Sequence, residues 1–309
     1  MKFVFFGTDD FSVAILEKLI SDFYYPALVI SQPDKPVGRK QILTPPPIKH
    51  VCETHRIPLL QPTKAIETLE AVRAIAPDLF IVASFGQLIP KALLDIPKHG
   101  AINVHTSLLP AYRGASPIQQ AIIDGQPYSG ITIMVMDEQL DHGPIIHQER
   151  LPLTPNETNG SLRARLATLG ADTLCKILPD FLNGKLQVRE QKHAEATFTA
   201  LIKKEHAKID WTQSVSRIER LIRAYADWPI AWTVLPNQKR MKIFEARIAQ
   251  PAISSAKPAT IHIEGHTFLI ATTDGWLEIL QLQIEGKEET DAKQFTTGYK
   301  QLHGQQCLS

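Results

Sequence analysis

The sequence predicts an α/β fold, a doubly wound and mostly parallel sheet followed by a small β-barrel domain. Three observations carry this. The first half alternates short apolar runs with amphipathic stretches, the pattern of strands alternating with crossover helices. The C-terminal third breaks into short apolar runs separated by tight-turn residues. The chain, at 309 residues, exceeds what one hydrophobic core usually supports, so two domains are expected, each large enough to fold alone. They are placed at residues 1–189 and 209–309, with residues 190–208 as a linker.

Strand-like runs occur at Lys2 to Phe6, Ala27 to Ser31, Leu79 to Ser84, Ala101 to His105 and Gly130 to Met136. Between them, Phe11 to Ile20 and Ala65 to Ile75 carry helical spacing of apolar residues. In such sheets a ligand lies beyond the carboxyl ends of the strands, where Gly7, Phe85, His105 and Asp137 are expected to converge. The first turn, Gly7-Thr8-Asp9-Asp10, is not a G-x-G-x-x-G fingerprint, which weakens a dinucleotide reading. An NAD-dependent dehydrogenase is then an alternative on fold alone.

Gln32 to Pro47 holds five prolines beside Lys35, Arg39 and Lys40. It cannot be a helix or an inner strand, so an exposed loop is expected. Such a loop is either a stiff solvated connection or a basic arm suited to phosphate contact, because proline lowers the ordering entropy lost on binding. Glu190 to Lys208 shows no clean period and contains Lys192, Lys203 and Lys204; it is read as the interdomain linker. Val215 to Tyr225 predicts a helix with Ile218, Leu221 and Ile222 on an apolar stripe and Arg217, Arg220 and Arg223 along another side. Beyond it, Ile243 and Phe244, Thr260 to Ile263, Thr267 to Ala271 and Trp276 to Leu282 predict short antiparallel strands turned at Gly265 and Asp274-Gly275. A small barrel is their natural closure, with Lys239, Arg240, Lys242 and Arg247 as a local basic cluster.

Composition bounds the function classes. Hydrophobic residues make up 44% and charged residues 21%, ordinary for a globular protein, and net charge is only +1. A nucleic-acid partner therefore needs local positive patches. Cys52, Cys175 and Cys307 are odd in number, widely spaced and without a Cys-x-x-Cys pair, which argues against a disulfide framework or a zinc site. The start meets Gly7 and two aspartates before any signal-peptide core forms, and no apolar run approaches the roughly 20 residues of a membrane span. A cytoplasmic protein away from membranes is expected.

Residues 101–118 carry the chemistry. Strand alternation sends Asn103 and His105 to one face and Ile102 and Val104 to the other, with the two polar residues about 6 to 7 Å apart. An amide donor beside an imidazole can hold a developing oxyanion and move a proton at a carbonyl under attack. A second segment, Gly130 to Ile146, is a buried strand followed by an acidic loop closed by Gly143 and Pro144. Asp137 and Asp141 are both candidates there; Asp141, just before the Gly-Pro turn, is placed near His105.

Asn103-x-His105, followed by Ser107-Leu108-Leu109-Pro110-x-Tyr112-Arg113-Gly114-Ala115-x-Pro117-Ile118 and then Met136-Asp137-x-x-Leu140-Asp141-x-Gly143-Pro144-Ile145, resembles the formyltransferase family that uses 10-formyltetrahydrofolate. The likeness extends along nearly the whole chain through Phe6-Gly7-Thr8 and Phe11, Gln32-Pro33-Asp34-Lys35-Pro36 with Gly38-Arg39, Ser84 to Pro90, Ile209-Asp210-Trp211, Ile222-Arg223-Ala224, Trp228-Pro229 with Trp232, and Asp274-Gly275. It implies a Rossmann-like catalytic domain, an OB-like barrel and 10-formyltetrahydrofolate as co-substrate, with no metal. Asn103, His105 and Asp141 are the implied catalytic set. Ser107, Leu108, Leu109 and Pro110, with Phe85, Gly86, Gln87 and Leu88, would line a folate channel. The C-terminal stations imply methionine esterified to initiator tRNA as the acceptor, giving N-formylmethionyl-tRNA for translation initiation. Lys35, Arg39, Lys40, Lys203, Lys204, Arg217, Arg220, Arg223, Lys239 and Arg240 are the expected tRNA contacts, on a monomer. Rival expectations are the same chemistry on a small amine, a hydrolase releasing formate from the folate, and a non-catalytic tRNA-binding protein. The chain departs from the family pattern at Asp9, where proline is usual, at Thr106, at His142 and at Glu288.

Overall fold

The computed structural model describes residues 1–38, 40–249 and 256–308. They form two compact units that share the sequence unevenly. The first comprises Met1–Pro117, Tyr128–Pro152 and Arg163–Thr199; the second comprises Ile118–Pro127, Leu153–Leu162 and Ala200–Ser309. Where a single cut was expected, two short segments from the first half group with the C-terminal unit, and the stretch up to Thr199 groups with the N-terminal one.

In chain order the first half contains β1 (Phe3–Gly7), α1 (Asp10–Ser21), β2 (Leu28–Ile30), β3 (Lys35–Val37), β4 (Ile42–Thr44), α2 (Pro47–His55), β5 (Leu59–Leu60), α3 (Leu69–Ile75), β6 (Leu79–Ala83), α4 (Lys91–Leu94), β7 (Ala101–His105), β8 (Arg113–Gly114), α5 (Pro117–Ile123), β9 (Tyr128–Val135), β10 (Ile145–Pro152) and α6 (Asn159–Leu182). One seven-stranded sheet runs β10-β9-β7-β6-β1-β2-β5. Strands β5, β2, β1, β6 and β7 are mutually parallel, and β9 and β10 add an antiparallel edge. The central strands read as continuous apolar runs because both faces of a parallel sheet are covered; Phe3, Val4, Phe5 and Phe6 are fully buried. Gly7 is needed where β1 meets α1, since an added Cβ would lie 2.5 Å from Ser12 Cβ.

Several elements differ from expectation for local reasons. Ala65 to Ile75 is broken into a 3₁₀ turn at Ala65–Thr68 and α3. Within Gln32 to Pro47, β3 and β4 pair as an exposed antiparallel hairpin, Pro36 opposite Leu43. Proline is tolerated there because a two-stranded ribbon is all edge. Pro47 opens α2 at a position where the missing N–H costs nothing. The largely polar, mostly half-buried β10 and the 24-residue α6 carry patterns that were not read as elements.

The chain continues through β11 (Phe198–Thr199), α7 (Val215–Ala224), β12 (Ala231–Val234), β13 (Arg240–Ala249), β14 (Ile261–Glu264), β15 (Thr267–Ala271), β16 (Trp276–Ile284), β17 (Glu289–Asp291) and α8 (Ala292–Gly298). The second unit holds an antiparallel sheet, β12-β13-β16-β15-β14, with β17 added to β16. Its core gathers Trp211, Ile218, Ile222, Met241, Phe268, Ile279 and Phe295. The C-terminal segment joins the sheet's two edges. The Leu308 N–H donates to the Val234 carbonyl beside β12 at 2.7 Å, and the Cys307 N–H donates to the Ala259 carbonyl before β14 at 2.9 Å. The expected barrel is thus seen as an antiparallel sheet whose two edge strands are each partly covered by the C-terminal segment. Among the described residues, no helix is long and apolar enough to cross a membrane.

Candidate active site

β7 places Asn103 and His105 on one face, as strand alternation requires. Asn103 is half-buried, and its side-chain amide has no hydrogen-bond partner among the described residues. His105 is buried, with both ring nitrogens facing acceptors. Its Nε2 lies 3.0 Å from the Tyr112 carbonyl, to which it donates, and its Nδ1 lies 3.6 Å from Asp141 Oδ1.

The acidic loop reaches His105 by a route the strand-end rule does not describe. β9 is antiparallel to β7, Ile102 opposite Val135 and His105 opposite Thr132. The carboxyl end of β9 thus lies beside the amino end of β7, and Asp137 falls away from the crevice edge shared by Gly7, Phe85 and His105. It bonds His142 Nδ1 at 2.7 Å instead. The loop then folds back along β7 and delivers Asp141. Gly143 makes that return tight enough, since a Cβ there would lie 2.0 Å from the Val135 carbonyl oxygen.

Asp141 is buried and held from two sides. The Gly114 N–H donates to its Oδ2 at 2.7 Å. Gln191 Nε2 donates to the Asp141 carbonyl at 2.9 Å and to the Gly143 carbonyl at 2.8 Å. Gln191 Oε1 accepts from Arg113 Nε at 3.2 Å and Nη2 at 2.7 Å. Arg113 Nη2 also donates to His193 Nδ1 at 2.9 Å, and the His193 ring stacks on His142 at 4.1 Å. Residues 107–111 are equally tied. Thr132 Oγ1 donates to the Ser107 carbonyl at 2.6 Å and accepts from the Leu109 N–H at 3.0 Å and Gln148 Nε2 at 2.9 Å.

Among the expected folate-channel residues, Ser107, Leu109 and Phe85 turn their side chains into the interior. Leu109 packs on Met134 and Ile145, and Phe85 packs edge-on to Phe6 with ring centroids 5.2 Å apart. Contact from these three would have to be made by backbone. Leu108, Pro110 and Gln87 are partly exposed, Gly86 is exposed, and Leu88 is 78% exposed. Thr8 Oγ1 and Gln32 Nε2 both donate to the Phe85 carbonyl, at 2.8 and 2.9 Å, and hold this second loop.

The expected tRNA contacts divide. Lys35 and Lys40 lie on the exposed hairpin; Arg39 lies outside the described residues. Lys203, Lys204, Lys239 and Arg240 are exposed, and Arg240 stands over the Trp232 ring at 4.1 Å, whose Nε1 donates to the Lys204 carbonyl. The three arginines of α7 do not form a free basic face. Arg223 is paired with Glu219 at 2.6 Å, Arg220 packs over Gly125, and Arg217 lies 3.8 Å from Asp124 Oδ1. A step of three residues turns about 300°, so each arginine fans about 60° from the last toward a different neighbour. Arg247 is likewise paired, with Glu278. Among the described residues, no group of three or more metal-ligand side chains is assembled.

Residues 1–178 match the formyl transferase family, and residues 201–300 match the formyl transferase C-terminal domain. The chain belongs to the formyl transferase family. Similar family members include a methionyl-tRNA formyltransferase from Halalkalibacterium halodurans, 46% identical over 96% of this chain and 95% of that protein, and one from Bacillus cereus, 43% identical over 97% and 96%. The fold also matches solved structures. An N-formyltransferase from Helicobacter canadensis, described in complex with folinic acid and dTDP-3-aminofucose, has a TM-score of 0.71 at 21% identity, covering 92% of this chain and all of that one. HypX from Aquifex aeolicus, in complex with tetrahydrofolic acid, has a TM-score of 0.65 at 17% identity, and this chain spans 47% of its length.

Gln191, Gln148 and Thr132 were missing from the expected site. Gln191 stands alone in an aperiodic stretch and left no signal. Arg113 lies within the Ser107 to Ile118 motif, where a charge directly before Gly114 was the available clue.

Proposed function

We propose that this formyl transferase moves the formyl group of 10-formyltetrahydrofolate to the α-amino group of methionyl initiator tRNA, giving N-formylmethionyl-tRNA for translation initiation. The observation that carries the chemistry is the grouping of a half-buried Asn103 amide, His105 and the buried Asp141 carboxylate, within 3.6 Å of His105 Nδ1. The acceptor is supported by relatives of that name that align over nearly the full length of both chains.

The free amine attacks the formyl carbon. The new N–C bond gives a tetrahedral intermediate, and charge collects on the former carbonyl oxygen. Asn103, whose amide is not spent on the protein, donates to that oxygen. His105 supports it by the Nε2–H, which must exchange the Tyr112 carbonyl for the oxyanion; such tightening in the complex is ordinary for catalytic groups. Asp141 orients His105 and accepts the amine proton directly or through water. Collapse breaks the bond to folate N10, which takes a proton as tetrahydrofolate leaves. Leu108, Pro110 and the Gly86 to Leu88 loop would flank the folate, and Lys35, Arg39, Lys40, Lys204 and Arg240 would meet tRNA phosphates.

Two measurements test this. Incubation with 10-formyltetrahydrofolate and methionyl-tRNA, glycinamide ribonucleotide, an amino-sugar nucleotide or water should yield formylated product only with methionyl-tRNA. Asn103→Ala, His105→Ala and Asp141→Ala should each lower kcat on the order of 100-fold while the protein stays folded. Near-normal turnover in any two of them would remove the assigned site.

A further inference from the structure

We propose that Gln191 is a positioning residue for formyl transfer: its carboxamide clamps the turn carrying Asp141 and thereby sets the Asp141 carboxylate against His105. The proposal rests on the reading of Asp141 as a member of the catalytic set.

The amide has one orientation. Its oxygen faces the guanidinium of Arg113, which can only donate, and its nitrogen faces the carbonyls of Asp141 and Gly143, which can only accept. A flipped amide would oppose donor to donor and acceptor to acceptor. Gln191 is 4% exposed, so water cannot replace those bonds.

The clamped turn needs an external restraint. Asp141 has φ of +49°, a left-handed conformation that a residue with a side chain keeps only where its surroundings impose it. The strand β8 imposes it twice. Gly114 binds the Asp141 carboxylate directly, and Arg113 binds the Asp141 backbone through Gln191. β8 is itself fixed by its parallel pairing with β11, Phe198 beside Arg113 and Thr199 beside Gly114. Gln191 and β11 thus come from one stretch of chain, and both act on the same turn.

The test is kcat and both KM values for Gln191→Leu and Gln191→Asn, each alone and in an Asp141→Asn background, with thermal unfolding to confirm the fold. Gln191→Leu should lower kcat on the order of ten-fold or more, because displacing a reacting group by a fraction of an ångström is costly. Both KM values should stay within about two-fold, since substrate binding is untouched. Gln191→Asn, one methylene too short to span both ends, should fall in the same direction by less, and carries the test if the leucine variant does not fold. In the Asp141→Asn background neither change should cost anything further, which a merely structural role would not produce. The same loss in both backgrounds, or full kcat in Gln191→Leu while Asp141→Asn is impaired, would overturn the proposal. Full kcat in Asp141→Asn alone would instead overturn the catalytic reading of Asp141, and the proposal with it.

Discussion

Asp9, one of the departures from the family pattern, is used by the fold rather than merely tolerated. Its Oδ1 accepts from the N–H groups of Phe11 at 3.1 Å and Ser12 at 3.3 Å, capping α1, and its Oδ2 accepts from Ser84 Oγ at 2.5 Å and from the Arg163 guanidinium. Asp9→Ala should lower stability by about 1 to 2 kcal/mol through the lost cap, measured by urea unfolding; an unchanged midpoint would assign the cap no weight. The ion pair adds little, since both side chains are about a third exposed. The thiols give a second check. Burial pushes Cys52 up to about 11 and Cys175 and Cys307 to about 12, so all three stay protonated near neutral pH. Alkylation of the folded protein at pH 8 should be far slower than after denaturation. What the sequence made legible at this scale was the local part of the site. Asn103 and His105 share a face because strands have a period of two. Ser84 and Arg163 around Asp9, and Gln191 behind Asp141, come from 75, 154 and 50 residues away, and nothing in a local pattern points to such partners.

Among the elements, the β3 and β4 hairpin shows how composition can locate a feature without giving its form. Five prolines and three basic residues marked an exposed segment, yet antiparallel pairing of short strands overrode the expectation of an irregular loop. The parallel strands were legible because continuous apolar runs are what double burial demands, whereas β10 buries only Ile145 and Ile146 and is mostly polar and half-buried beyond them, so it left no such trace. The base of the hairpin is pinned by Asp34, which accepts from Lys49 Nζ at 2.9 Å and Gln61 Nε2 at 2.7 Å. The Lys49 and Gln61 hydrogen bonds hold the Asp34 carboxyl below its ordinary range. A depressed carboxyl stabilises the fold fully above its unfolded value and loses that effect as pH falls through the folded one. Amide exchange at Lys35 and Val37, compared at each pH with a model peptide, should therefore keep constant protection from about pH 7 to 5 and lose it only below about pH 4. Protection lost near pH 6 would point to a histidine instead. For function, the proposed phosphate contact by the hairpin predicts that Lys35→Ala with Lys40→Ala raises KM for methionyl-tRNA several-fold and leaves KM for the folate donor unmoved. Equal effects on both substrates would place the hairpin at the folate.

At the scale of the whole molecule, the two units are interleaved in sequence, and this decides what a truncation can mean. A chain ending at Arg189 keeps Asn103, His105 and Asp141 and, by motif alone, preserves the catalytic half. It loses Gln191 and β11, however, so Arg113 and the carbonyls of Asp141 and Gly143 are stranded in a buried place. It also loses Asp227, which accepts from Asn159 Nδ2 at 2.9 Å, and Arg223, which donates to the Glu157 carbonyl at 2.6 Å. Each buried polar group left unpaired costs about 1 to 3 kcal/mol, and a whole domain is stable by only about 5 to 15 kcal/mol. The fragment 1–189 should therefore not reach the native catalytic fold. Far-UV circular dichroism would retain helix and strand, near-UV signal would be lost, a dye for exposed apolar surface would bind, and no formyl transfer would occur to tRNA or to a small amine. The full chain should unfold cooperatively and lose tRNA affinity steeply between about 50 and 200 mM salt while keeping its affinity for the folate donor. A fragment that unfolded cooperatively and still formylated a small amine would show that Asp141 holds its place without Gln191, and would return tRNA recognition alone to the C-terminal residues.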